Sequence, residues 1–151
     1  MTLQEETLAV AITQVGVEEI PRGSNAGPEV EEYLKAVGLP AGYSWCMAFV
    51  YWSCVQAAKK LNTIVPILRT AGVLRLWNES VMQRIKEPTV GCIFILDYGN
   101  GKGHTGVVER FDKTYIYTVE GNTNDKGSRE GYMVARRRRL RKTVKGYIAI
   151  A

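Results

Sequence analysis

Apolar residues recur at helical spacing through the first half of the chain and in short near-continuous or alternating runs through the second. Leu3, Val10, Ile12 and Val15, with Ala9 and Ala11 between them, predict a first helix over residues 2–15, ended by Gly16. Residues 20–28 hold Pro21, Gly23, Asn25, Gly27 and Pro28 and read as a loop. Pro28 suits the first turn of a second helix, whose face is Val30, Tyr33, Leu34 and Val37 before Gly38 closes it. A third helix over residues 46–60 carries Met47, Val50, Tyr51, Cys54, Val55, Ala58 and Leu61 on one face, with Ser44 as its expected N-cap. Val73, Leu74, Leu76 and Trp77 predict a short fourth helix, while residues 78–86 show no clear pattern.

After Pro88 the pattern becomes that of strands. Residues 90–96 form a short apolar run, 99–103 a glycine-rich turn, and 104–110 a second strand. A turn at 111–114 leads into a third strand at 115–120. A polar loop at 121–131 precedes final strands at 132–140 and 147–150. Helices first and strands afterwards, joined by short turns, predict an α+β domain with N-terminal helices packed on a C-terminal antiparallel sheet. Residues 1–151 read as one domain, without linker, repeat or low-complexity segment.

Composition adds three constraints. The net charge of +5 is uneven: glutamates crowd residues 4–33 and the positive excess lies at 136–145. Alternate arginines of that run point to opposite faces of a strand, so it reads as a solvated edge strand or as attraction to an anionic wall, not as a nucleic-acid site. Three cysteines, an odd number, exclude a complete disulfide framework and suggest a reducing compartment or a free thiol. The first residues lack a basic start followed by an apolar run, and no run is long enough to span a membrane. A cytoplasmically made monomer is expected, with no membrane partner. It would reach a cell wall only by another export route or by lysis.

The candidate chemistry centres on Gly42-Tyr43-Ser44-Trp45-Cys46-Met47. In the first helical turn, Cys46 meets the positive end of the helix dipole and unsatisfied amides, which favour a thiolate. The competing use is a small buried hydrophobe at a helix start. His104 is the sole histidine. His104 and Glu120 stand equally far on either side of Asp112, so a hairpin turning near Asp112-Lys113 makes them cross-strand neighbours within side-chain reach. A thiol, an imidazole and a carboxylate that orients the imidazole are the parts of a nucleophilic triad. Spacing alone does not bring Cys46 to the other two. Cys54 and Cys92 read as core residues.

Three blocks carry a family resemblance: Trp45-Cys46-Met47-Ala48-Phe49-Val50, Gly103-His104-Thr105-Gly106-Val107-Val108 and Glu120-Gly121-Asn122-Thr123-Asn124. In order, spacing and secondary structure they resemble the CHAP domains, cysteine- and histidine-dependent amidohydrolases of the NlpC/P60-like, papain-like superfamily. Residues 19–34 are similar to small single-domain bacterial and phage members. The resemblance implies Cys46 as nucleophile, His104 as general base and acid, Glu120 as the residue orienting the imidazole, and Asn122 as a fourth polar member. It also implies peptidoglycan as substrate, cut at the muramoyl–L-alanine amide or within the stem or cross-bridge peptide. Tyr43, Trp45 and Asn25 are the candidate substrate contacts. Packing of helix on sheet is the competing use of Trp45 and the favoured one of Trp77. Some CHAP domains carry an acidic calcium loop ahead of the cysteine. Here Ser24, Asn25 and Glu29 stand without clustered aspartates, so neither metal nor cofactor is expected. No wall-binding module is evident in the sequence, which leaves targeting to the catalytic domain, another polypeptide or a delivery system. Amidase action on a small peptide or polyamine conjugate, and a non-catalytic basic wall-binding module, are the competing functions.

Overall fold

Thr2 opens α1 (Leu3–Thr13) with a capping box: its hydroxyl accepts the Glu5 N–H, and the Glu5 carboxylate accepts the Thr2 N–H. The computed structural model describes residues 1–123 and 131–151; most of the polar loop expected at 121–131, with Asn124, lies outside the described residues. Three more helices follow, α2 (Pro28–Ala36), α3 (Cys46–Leu61) and α4 (Val73–Glu79). The strands are β1 (Arg84–Ile85), β2 (Ile93–Gly99), β3 (Lys102–Phe111), β4 (Tyr115–Thr123), β5 (Met133–Leu140) and β6 (Gly146–Ile148). They form one sheet in the order β1-β6-β2-β3-β4-β5, antiparallel throughout. This is the expected α+β arrangement, with the helices packed on the sheet.

Helix α3 is the hub. It packs against α1, α2, β3 and β4. Its first turns are therefore buried nearly all round: Cys46, Met47, Ala48, Phe49 and Val50 are in the core, not only the single stripe that periodicity suggests. Tyr33 of α2 sits against the rings of Trp45, Phe49 and Trp52, at centroid distances of 5.7, 5.2 and 4.9 Å. Leu61, at the far end, is exposed.

The sheet departs from expectation in three places. The strand expected from residue 90 is β2 and begins at Ile93, because the stretch before it lies along α1, where Gln4 donates to the Thr89 hydroxyl and the Val90 carbonyl. The turn between β2 and β3 narrows to Asn100-Gly101, both with positive φ, which lets Gly99 pair with Lys102. The two-residue strand β1 follows a short 3-10 turn in the segment without a sequence pattern, and it pairs with β6.

The two faces of the sheet carry different cores. Ile93, Ile95, Val107 and Val119 pack under the helices. Phe94, Leu96, Val108, Ile116 and Tyr147 form a smaller cluster on the other face.

Candidate active site

The site forms where the sheet splits. Pairing between β3 and β4 ends at Val107↔Val119, although both strands run on past that point. The start of α3 enters this opening. Gly121 makes the approach feasible: a Cβ there would stand 2.8 Å from both the Phe49 Cβ and the Trp45 ring. Helix α3 thus presents Cys46 from the helical side, while His104 and Glu120 belong to the other face, His104 beside Phe94 at 6.4 Å.

His104 and Glu120 are joined, Nε2 to Oε1, at 2.7 Å, and both are buried. They are not directly opposite, as counting from Asp112 suggests. The turn spans Asp112 to Thr114, with the Asp112 carboxylate accepting the Thr114 and Tyr115 N–H groups. Pairing beyond the turn starts at Phe111↔Ile116, three residues off the counted register, and a bulge between Val108 and Arg110 takes one residue back. Continuing the pairs Val108↔Thr118 and Val107↔Val119 sets Glu120 against Gly106. The offset is two residues, an even number, so both side chains keep the same face and meet diagonally. The Glu120 chain crosses directly over Gly106, where a Cβ would stand 2.7 Å from Glu120 Cγ and 2.8 Å from the Phe94 ring.

Cys46 lies beside the ring. The other ring nitrogen, Nδ1, is buried and makes no hydrogen bond. Burial works against ionisation of the thiol. Even so, its interaction with the nearby His104 ring, together with the Met47 and Thr105 N–H groups, holds Cys46 below the ordinary thiol value. Burial likewise opposes an imidazolium, yet Cys46 and Glu120 together push His104 up to about 9. Glu120, against its own burial, is pulled down to about 2 by Arg139 and His104. Cys54 and Cys92 are the contrast, since burial pushes each thiol up to about 11. All three cysteines are free.

Asn122 does not bond the imidazole. A second bulge, between Glu120 and Thr123, breaks the alternation of β4, and Asn122 takes a left-handed φ of 55°. Its Oδ1 accepts the Trp45 N–H at 2.7 Å and its Nδ2 donates to the Gly131 carbonyl at 2.6 Å. Asn122 therefore ties down the start of α3. It also displaces Ser44 as the cap: the residue before the helix is Trp45, without a side-chain cap of its own.

The three candidate substrate contacts separate. Tyr43 is 52% exposed, three residues before Cys46. Asn25 is half-buried, and its carbonyl accepts the Gly42 N–H, which ties the 20–28 loop to the turn ahead of Cys46. Trp45 is corrected: it is fully buried, its indole N–H donating to Glu19 at 2.7 Å, and it has no surface to offer a ligand. Trp77 packs against the core, with the Arg84 guanidinium 4.1 Å over its ring.

Sequence reading missed Arg139, Thr118 and Glu19. β5 is an edge strand, as expected, but Arg139 is not solvated. Its Nε and Nη2 donate to the two Glu120 oxygens, each at 2.6 Å, with the side chain 12% exposed. The Thr118 hydroxyl donates to Glu120 Oε2, also at 2.6 Å. Strand alternation was the available signal for Arg139, since it puts Arg137 and Arg139 on one face and Arg136 and Arg138 on the other. A surface cleft of about 640 Å3 lies elsewhere, along Glu109, Arg110, Tyr117 and Arg136, and holds neither a thiol nor an imidazole. Among the described residues, no three His, Cys, Asp or Glu side chains gather closely enough to hold a metal ion, and no helix is long and apolar enough to cross a membrane.

A buried thiol at a helix start, an imidazole and an ionised carboxylate are the parts used by cysteine hydrolases. The family model for the CHAP domain matches residues 38–122, more than half of the 151-residue chain, and spans Cys46, His104, Glu120 and Asn122. The chain belongs to the CHAP domain family. That is a family of hydrolases, amidases and peptidases, associated with peptidoglycan. No curated protein and no solved structure matched the chain.

Proposed function

We propose that the protein is a cysteine-dependent amidohydrolase of peptidoglycan, an N-acetylmuramoyl-L-alanine amidase or a peptidoglycan endopeptidase. The observation that carries the reading is the 2.7 Å His104–Glu120 pair with Cys46, the first residue of α3, beside the ring. Cys46 Sγ attacks the amide carbon, and the oxyanion is met by the Cys46 N–H, one of the unpaired amides at the helix start. The C–N bond breaks as His104 gives its proton to the leaving amine, leaving a thioester. His104 then takes a proton from water, and the hydroxide releases the acid and restores the thiol. Glu120 orients the ring and supports its positive charge. Tyr43 and the Asn25 loop flank the approach to Cys46.

Mass spectrometry of fragments released from purified sacculi tests this. A new muramoyl end identifies the amidase and a new peptide end the endopeptidase. Sacculi of several peptidoglycan chemotypes that bind the protein but release nothing would point instead to a wall-binding module. Release by a folded Cys46→Ala variant would overturn the cysteine mechanism.

A further inference from the structure

We propose that Arg139 is a positioning residue of the Cys46 site: its guanidinium, delivered from edge strand β5, clamps both oxygens of Glu120 and through Glu120 fixes the His104 ring against Cys46. The inference rests on the reading of Cys46, His104 and Glu120 just given.

The geometry is specific. Two parallel N–H donors meet two carboxylate oxygens at 2.6 Å, the fork arrangement open to arginine and not to lysine. The Thr118 hydroxyl and His104 Nε2 occupy the remaining acceptor directions, so a fully buried carboxylate makes four hydrogen bonds and is held in a single rotamer. The Phe94 ring lies 5.9 Å beneath the guanidinium. Tyr98 of β2 lies close enough to Arg139 and to Cys46 to interact electrostatically with both. The chain of contacts runs Tyr98, Arg139, Glu120, His104, Cys46.

The charge logic follows. A buried carboxylate with only an imidazolium beside it can take the proton back and leave both groups neutral. Arg139 supplies a permanent positive charge, so Glu120 stays ionised. Three other nearby arginines are engaged elsewhere. Arg136 is paired with Glu109, Arg138 lies over the Tyr115 ring and Arg110 over Tyr117.

The experiment measures the rate of Cys46 alkylation by iodoacetamide against pH, a readout that requires no substrate. In the wild type the acid limb should lie well below the ordinary thiol range. In Arg139→Met that limb should move up by about one pH unit or more, because Glu120 is protonated sooner and the imidazolium loses its support. Arg139→Lys should recover part of the shift through charge alone, and Tyr98→Phe should move it least. Thr118→Val, which keeps the arginine, serves as a milder probe of the same carboxylate if Arg139→Met does not fold. A wild-type limb at the ordinary thiol position would overturn the reading of the site itself. A shifted wild-type limb left unmoved in folded Arg139→Met, or fully restored by Lys, would overturn the clamping role of Arg139 alone. A lower melting temperature with an unchanged limb would make Arg139 merely structural.

Discussion

Cys46 and Cys54 occupy the same helix two turns apart, are both buried, and are opposite in chemistry. Cys54 sits in the apolar seam of α3 beside the Thr7 hydroxyl, and burial raises its thiol to about 11. Cys46 is buried too, yet its thiol is lowered, because His104 and two backbone N–H groups receive the negative charge. Cys92, on the sheet, repeats the Cys54 case. Burial therefore does not separate a reactive cysteine from an inert one. What separates them is an imidazole partner, and His104 is supplied to Cys46 by a strand pair that stops pairing at the right residue.

The strongest test of that contrast removes its members. Cys46→Ala should lower hydrolysis of sacculi to background, a loss on the order of 10^4-fold, in a protein with unchanged circular dichroism. His104→Ala should cost nearly as much, and the double variant little more, since the two act as a unit. Glu120→Gln should cost less, as an amide still holds the ring but no longer supports its charge. Full turbidity loss with folded Cys46→Ala would erase the difference between the two cysteines.

The pH dependence sharpens the comparison. His104 titrates at about 9, so kcat/KM should fall above that value as the imidazolium needed to protonate the leaving amine disappears. Glu120 is lowered from 4.5 to about 2, so its contribution to stability is complete above pH 4.5 and is lost as pH falls toward 2. Urea denaturation of wild type and Glu120→Gln across that interval should show a difference on the order of 3 kcal/mol closing on acidification. A constant difference would mean that Glu120 contributes by packing alone.

Smaller effects probe the support. Gly106→Ala places a methyl on the Glu120 chain, and should cost about 1–3 kcal/mol by chemical denaturation and slow Cys46 alkylation together. Asn122→Ala leaves the Trp45 N–H and the Gly131 carbonyl unpaired, at about 1–3 kcal/mol, and should loosen the start of α3. Least of all, Cys54→Ala and Cys92→Ala should leave hydrolysis unchanged, and peptide mapping should find both native thiols unlabelled until the protein unfolds.

The helical half of the fold was readable because each helix carries its own boundary signals: Thr2, Pro28 and Gly38 act within a few residues of themselves. Cys46, His104 and Glu120 stood out because their residue types are chemical and their strands short. The cap at Trp45 was not readable, since its partner Asn122 lies 77 positions away. Nor was Trp45 recognisable as buried, because its indole is satisfied by Glu19 across a loop. Arg139 was hidden among identical neighbours. Only the register of β5 on β4 says which arginine turns toward the acid, and two bulges in β4 and its partners make that register incalculable by counting.

Gln4 has a consequence of a different kind. Its side chain donates to Thr89 and Val90 and accepts the Ile150 N–H, clasping α1 to the segment after β6. Residues far apart along the chain, 4 and 150, are thus within a hydrogen bond of each other. The fold is in this sense a nearly closed ring. A short peptide joining the two segments of that clasp, with the chain reopened at the exposed Asn100-Gly101 turn, gives a permuted polypeptide that keeps every pairing within the sheet. Helix α3 and the strands it enters would then be synthesised in the reverse order, β3 before Cys46, and the time taken to regain the native thiol environment would report whether the helix or the split sheet must form first.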